Sequence, residues 1–174
     1  YIQPKVKIEI SCMSMDEPYE NRTLTSLIYD SFNEVDDSTQ CIIPTVLPIR
    51  TFLEKAFLLN EEYQKKVPRS ERMSRHLYDI ERLMDTCSGA AINDAELYKN
   101  IIEHRKKFYH LSSVDYESDK REQIKIWPIG EIEQLFKEDY NAMIESFIYN
   151  ENPLTFVQLK ERILELEAKF RNDV

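Results

Sequence analysis

Three groups of side chains have the types and spacing to do chemistry. Lys55 stands beside the apolar stripe Phe52, Ala56 and Leu59. A lysine at the rim of such a stripe can reach into a cleft and hold a phosphate as a point charge. A lysine that lays its stem on apolar surface and keeps its ammonium in water fits the same pattern. Arg72, Arg75, Asp79 and Arg82 recur at i, i+3, i+7 and i+10, a charged stripe beside Met73, Leu77, Ile80 and Met84. Asp79 follows Arg75 by four residues and precedes Arg82 by three, so ion pairs within the helix are geometrically allowed. Lys65, Lys66 and Arg69 extend this into the one basic cluster of the chain, opposed between residues 65 and 76 only by Glu71. Such a cluster suits a triphosphate or an RNA backbone, and equally a solvated helix face. Glu9 lies between Ile8 and Ile10 on an alternating segment. A carboxylate there can help hold Mg²⁺ against a substrate phosphate, or simply face water.

Other chemistries are excluded by composition. His76, His104 and His110 have no metal-ligand spacing. Cys12, Cys41 and Cys87 are odd in number and lack a C-x-x-C, so they read as free thiols in a reducing, cytoplasmic compartment. Only two glycines, Gly89 and Gly130, are present, which rules out a Walker loop or a dinucleotide G-x-G-x-x-G. The net charge of −9 argues against a broad basic face that coats DNA; any anion site must be local. At 174 residues, 42% hydrophobic and 11% aromatic, the chain can bury a core and is not wholly disordered. No apolar stretch approaches the roughly 20 residues that span a bilayer, so no membrane partner is expected, and no signal peptide is evident. Trp127, beside Pro128, reads as packing rather than base stacking.

These residues need elements to position them. Val6, Ile8 and Ile10 alternate with charged residues as a strand would, and a strand at the very start suggests that part of a domain precedes Tyr1. Residues 17–22 read as a polar turn, 24–32 as a short helix, and 41–47 as a second strand with Pro44 at an edge or bulge. Helical spacing then takes over. One helix runs from Pro48 to before Pro68, with Thr51 and Glu54 as a capping box. A second carries Met73 to Met84 and stops before Gly89. A third starts with Asn93 as cap and carries Leu97, Ile101 and Phe108. Residues 124–128 read as a short extended piece. A fourth helix carries Ile132, Leu135, Phe136, Tyr140, Met143 and Phe147, and a fifth Leu159, Ile163, Leu166 and Phe170. The fold class is α+β, mainly α: a small sheet fragment followed by a bundle of about five helices.

Two segments carry a family resemblance. Residues 48–59 resemble the R-T-F-x-E-K-x-x-L-L helix of AbiEii/AbiGii-type nucleotidyltransferase toxins, and residues 72–80 are similar to that family's R-x-S-R-H-Y-Y-D-hydrophobic segment. Lys55 and Asp79 stand 24 residues apart, which also fits. Residues 1–9 resemble the family's x-x-R-P-R-V-K-L-E strand. Asp139-Tyr140-Asn141-Ala142-Met143 with Phe147 resembles its D-Y-x-x-M…F helix, and residues 156–166 its closing helix.

The resemblance implies that residues 1–48 end a nucleotidyltransferase core and that 49–174 form a C-terminal helical domain. It implies transfer of a nucleotide from an NTP to an RNA acceptor, a tRNA, with Mg²⁺ as cofactor. It also implies a cognate antitoxin and a role in abortive phage infection. Carried over by position, Lys55 matches the lysine on the nucleotide phosphates, with Arg75 and Arg72 as further nucleotide-binding residues. Asp79 matches the catalytic aspartate and Glu9 the strand acid at the metal. The family's glycine-serine loop and D-x-D pair would lie upstream of Tyr1, so this stretch alone is expected not to catalyse. A non-catalytic helical module that docks a partner protein or RNA through Lys65, Lys66 and Arg69 is the alternative.

Overall fold

The computed structural model describes residues 8, 10, 18–35 and 39–172. The expected strand at 6–10, and Glu9 with it, falls outside the described residues. The chain divides into two units, Tyr1–Thr45 and Val46–Val174.

In the first unit, strand β1 (Tyr19–Leu24) pairs with β2 (Cys41–Val46) in a two-stranded sheet, and the short helix α1 (Leu27–Phe32) lies between them in sequence. The Ser26 hydroxyl caps α1 by accepting from the Tyr29 N–H at 2.9 Å. β1 corrects the polar turn expected at 17–22. Its residues are nearly all exposed, so ladder hydrogen bonds rather than a buried face make it a strand, and periodicity carries no trace of it.

The second unit holds five long helices. Pro48 starts α2 (Pro48–Glu62): its ring fixes φ and its missing N–H is not needed at the first helical position. Thr51 therefore lies one turn inside the helix, and the capping box expected there does not form; Leu47 is the cap residue, with no side-chain bond. A capping box occurs instead at Thr155 and Gln158, ahead of α6 (Phe156–Asn172): each side chain accepts from the other's backbone N–H. α3 (Ser74–Asn93) passes through Gly89 without breaking, because tertiary packing outweighs the roughly 1 kcal/mol glycine penalty. α4 (Ala95–Phe108) is capped by Asp94, one residue beyond the expected Asn93. α5 (Glu131–Phe147) starts at Gly130, whose φ of 72° is the left-handed conformation that favours glycine.

α3 is the central helix and packs against α2, α4, α5 and α6. The core joins Phe52, Leu53, Ala56 and Phe57 of α2 to Leu77, Ile80 and Met84 of α3, with Phe136 and Tyr140 from α5 and Ile163, Leu166 and Phe170 from α6. Phe52 and Phe170 stack at 6.3 Å. Leu135, Phe147 and Phe108, placed on apolar stripes by spacing, stay largely exposed. Residues 124–127 form no strand, yet Ile124, Ile126 and Trp127 are buried. The carboxylate of Glu167 holds them by accepting from the Ile126 and Trp127 N–H groups at 2.7 and 2.8 Å. Among the described residues no helix is long and apolar enough to cross a membrane.

Candidate functional site

Lys55 leaves the third turn of α2 toward α3, and its Nζ lies 2.8 Å from Oδ2 of Asp79. The two residues singled out 24 positions apart thus meet across neighbouring helices. The ion pairs considered between Asp79 and Arg75 or Arg82 do not form. Neither member of the Lys55–Asp79 pair is sealed in: their side chains keep 22% and 40% of their surface open to water. A pair so exposed contributes roughly 0–1 kcal/mol to folding, so it opens at little cost when a better partner for Lys55 arrives.

Arg75 sits one turn before Asp79 on α3, and Arg72 lies in the turn just ahead of the helix. Among the described residues no carboxylate lies within ion-pair distance of either guanidinium. His76 records the resulting field. Burial, then the charges of Lys55 and Arg75, hold its imidazole down at about 4, against a smaller opposite pull from Asp79. The ring is therefore neutral at physiological pH, and its sealed Nδ1 has no hydrogen-bond partner. In a chain of net charge −9, this is a local positive site.

The start of α3 is set by α5. Arg72 has φ 58°, a left-handed conformation that costs a residue with a side chain roughly 1–2 kcal/mol. Asp139 offsets this cost. One of its oxygens accepts from the Arg72 N–H at 2.6 Å; the other accepts from the Ser74 N–H at 2.9 Å and from the Ser74 hydroxyl. Asp139 thereby caps α3 from a different helix, satisfying end N–H groups that Met73 leaves open. Sequence reasoning gave Asp139 no role. The signal was a serine opening the R-x-S-R-H segment with no capping side chain before it.

The basic cluster divides differently from its sequence. Glu62, only 2% exposed in its side chain, takes Lys65 at 2.6 Å and Arg69 at 2.8 Å. Burial alone would raise the Glu62 carboxyl; the hydrogen bonds from Arg69 and Lys65 outweigh it and hold the group at about 2. Two of the three cations proposed for docking are therefore neutralised by a residue just outside the window counted above. Arg50 and Glu54, from the same motif as Lys55, serve the interior. Arg50 bonds Glu54 at 2.8 Å, and Arg105 of α4 bonds Glu54 and grips Glu61 through Nε at 2.6 Å and Nη2 at 2.8 Å.

Among the described residues no three His, Cys, Asp or Glu side chains gather where a metal ion could bind. Among the described residues Asp79 is the one carboxylate paired with Lys55. The described side chains do not by themselves make a Mg²⁺ centre.

Fold and site together define a helical domain that offers a lysine–aspartate pair across α2 and α3 and two uncommitted arginines at the start of α3, an arrangement suited to phosphate. The family model for the Nucleotidyl transferase AbiEii toxin, Type IV TA system, matches residues 1–169, and the chain belongs to that family. No curated protein and no solved structure matches it.

Proposed function

We propose that this chain supplies the phosphate-handling part of a nucleotidyltransferase that moves a nucleotide from an NTP to an RNA acceptor, with tRNA as that acceptor. It would act as the toxin held by a cognate antitoxin, in abortive phage infection. The observation that carries the reading is the Lys55–Asp79 contact at 2.8 Å with Arg75 and Arg72 unpaired beside it. In the transfer, the acceptor hydroxyl oxygen bonds to the α-phosphorus. The bond from that phosphorus to the β-phosphate breaks, and pyrophosphate leaves with the electron pair. Lys55 and Arg75 neutralise the charge on the phosphates, with Arg72 behind them. Asp79, released as Lys55 turns to phosphate, orients the acceptor hydroxyl and takes its proton. Nucleotide transfer of this kind ordinarily uses Mg²⁺, whose ligands would have to include acids beyond those described, Glu9 being one candidate.

The test is Lys55→Met. Loss of a charge-assisted contact should weaken NTP or triphosphate binding about tenfold or more, and labelled NTP should no longer enter RNA in a transfer assay. Folding stability should move by no more than about 1 kcal/mol. Unchanged binding and transfer in that variant would remove Lys55 from the site. The docking reading keeps only Lys66 free of the three cations it needs, because Glu62 holds Lys65 and Arg69.

A further inference from the structure

A groove of about 350 Å³ opens between the start of α3 and the last turns of α5, and shares Arg75 with the surroundings of the pair. Arg72, Ser74 and Arg75 line one side, and Ala142, Met143, Ser146 and Phe147 the other. Met143 and Phe147 are spaced i, i+4 and so share one face of α5. Phe147 keeps 74% of its surface open to water. The carboxylate in the wall, Asp139, has both oxygens engaged by Arg72 and Ser74. The groove therefore presents a ring, a thioether and two guanidiniums against this one carboxylate, whose oxygens are taken up by the N–H groups at the start of α3. A bare phosphate would leave the apolar shelf uncovered, and an apolar peptide would leave both arginines unanswered. A flat aromatic body with an anionic arm satisfies both.

We propose that this groove seats a nucleotide, its phosphate between Arg72 and Arg75 and its base against Met143 and Phe147. The proposal rests on the phosphate assignment of Lys55 and extends it. Arg75 precedes Asp79 by four residues, roughly 6 Å along the helix, so phosphates reaching from Lys55 to Arg75 bring the base toward the shelf. The same chemistry is offered by a free NTP and by the last nucleotide of an acceptor strand.

The experiment compares the full chain and its Phe147→Ala, Phe147→Tyr and Arg75→Gln variants. Each is titrated with the four NTPs, with inorganic triphosphate, and with a short single-stranded oligoribonucleotide. Removing a stacking ring should cost about tenfold in affinity for a nucleotide and leave triphosphate within about twofold. Phe147→Tyr should restore the loss, and Arg75→Gln should weaken nucleotide and triphosphate alike. Phe147 is exposed, so its variants should fold as the unaltered chain does, and a thermal melt checks it. A loss confined to NTPs makes the NTP the occupant; a loss confined to the oligonucleotide makes it the acceptor strand. The proposal is overturned if the nucleotide-to-triphosphate affinity ratio is unchanged in Phe147→Ala, or if the unaltered chain shows no preference for any nucleotide over triphosphate. Lys55→Met separates the two readings: if it still weakens triphosphate while Phe147→Ala does nothing, the phosphate assignment stands and the base shelf alone is wrong.

Discussion

Glu54 and Lys55 are neighbours in sequence and in one motif, yet they serve two regions that use charge in opposite ways. Glu54 joins Arg50, Glu61 and Arg105 in the interior, where each carboxylate has an arginine and Arg105 is only 5% exposed. Lys55 faces Asp79 in a half-open position, with Arg72 and Arg75 left unpaired. In the first region every charge is committed, so the cluster fixes α4 against α2 and offers nothing to a ligand. In the second, cations outnumber acids and water reaches the pair, so it adds little to folding and has charge to spend on an anion. Complete pairing marks structure here, and incomplete pairing marks the candidate site.

The largest effect expected is at Arg105. Arg105→Met leaves Glu54 and Glu61 without their main partner and should destabilise the fold by about 3–5 kcal/mol. Denaturant unfolding checks this. Triphosphate affinity of the folded fraction should be unchanged, the reverse of the pattern expected for Lys55→Met. If both substitutions cost similar stability, the contrast between the two regions fails.

Asp139 lies between these extremes, because it caps α3 and at the same time holds the backbone of Arg72, a residue of the candidate site. Asp139→Ala removes the acceptor for Arg72 N–H and Ser74 and should cost about 1–3 kcal/mol. It should also free the Arg72 turn and lower triphosphate affinity. Asp139→Asn, which keeps an acceptor oxygen, should recover part of both. A variant that loses stability and keeps full affinity would show that the conformation of Arg72 does not matter to binding.

Much of the helical unit was legible. The i, i+4, i+7 spacing of Phe52, Ala56 and Leu59 and of Leu77, Ile80 and Met84 places the two central helices, since these side chains have to share a buried face. Lys55 and Asp79 could be singled out, but their contact could not, because it depends on how α2 and α3 cross. The Glu62–Lys65 pair has ordinary i, i+3 spacing but falls across the edge of the basic cluster, whereas Arg69 returns to Glu62 through a non-helical turn, where helical spacing rules do not apply. β1 was missed because it buries no face. Spacing puts Phe147 on the apolar stripe of its helix but not in the open, because an apolar residue at the right spacing says nothing about whether another element covers it.

The smallest predicted effect contrasts another fully paired carboxylate, Glu62, with the candidate site by pH. Glu62 is held at about 2 against an ordinary 4.5, so the folded chain resists taking up this proton while the unfolded chain accepts it. Its stabilisation is complete above 4.5 and is lost as the pH falls toward 2. His76 is held at about 4 against an ordinary 6.5, so the unfolded chain protonates first here too, and stability is lost between 6.5 and about 4. Discounted for its partial exposure, the histidine contribution is on the order of 1 kcal/mol. His76→Gln should flatten the upper window and Glu62→Gln the lower one in denaturant midpoints measured across pH. Triphosphate should act on His76 alone: an anion at Lys55 and Arg75 cancels the charges that depress the ring, so its midpoint followed by NMR should rise from about 4. A midpoint that stays put at saturating triphosphate would mean that the anion binds elsewhere.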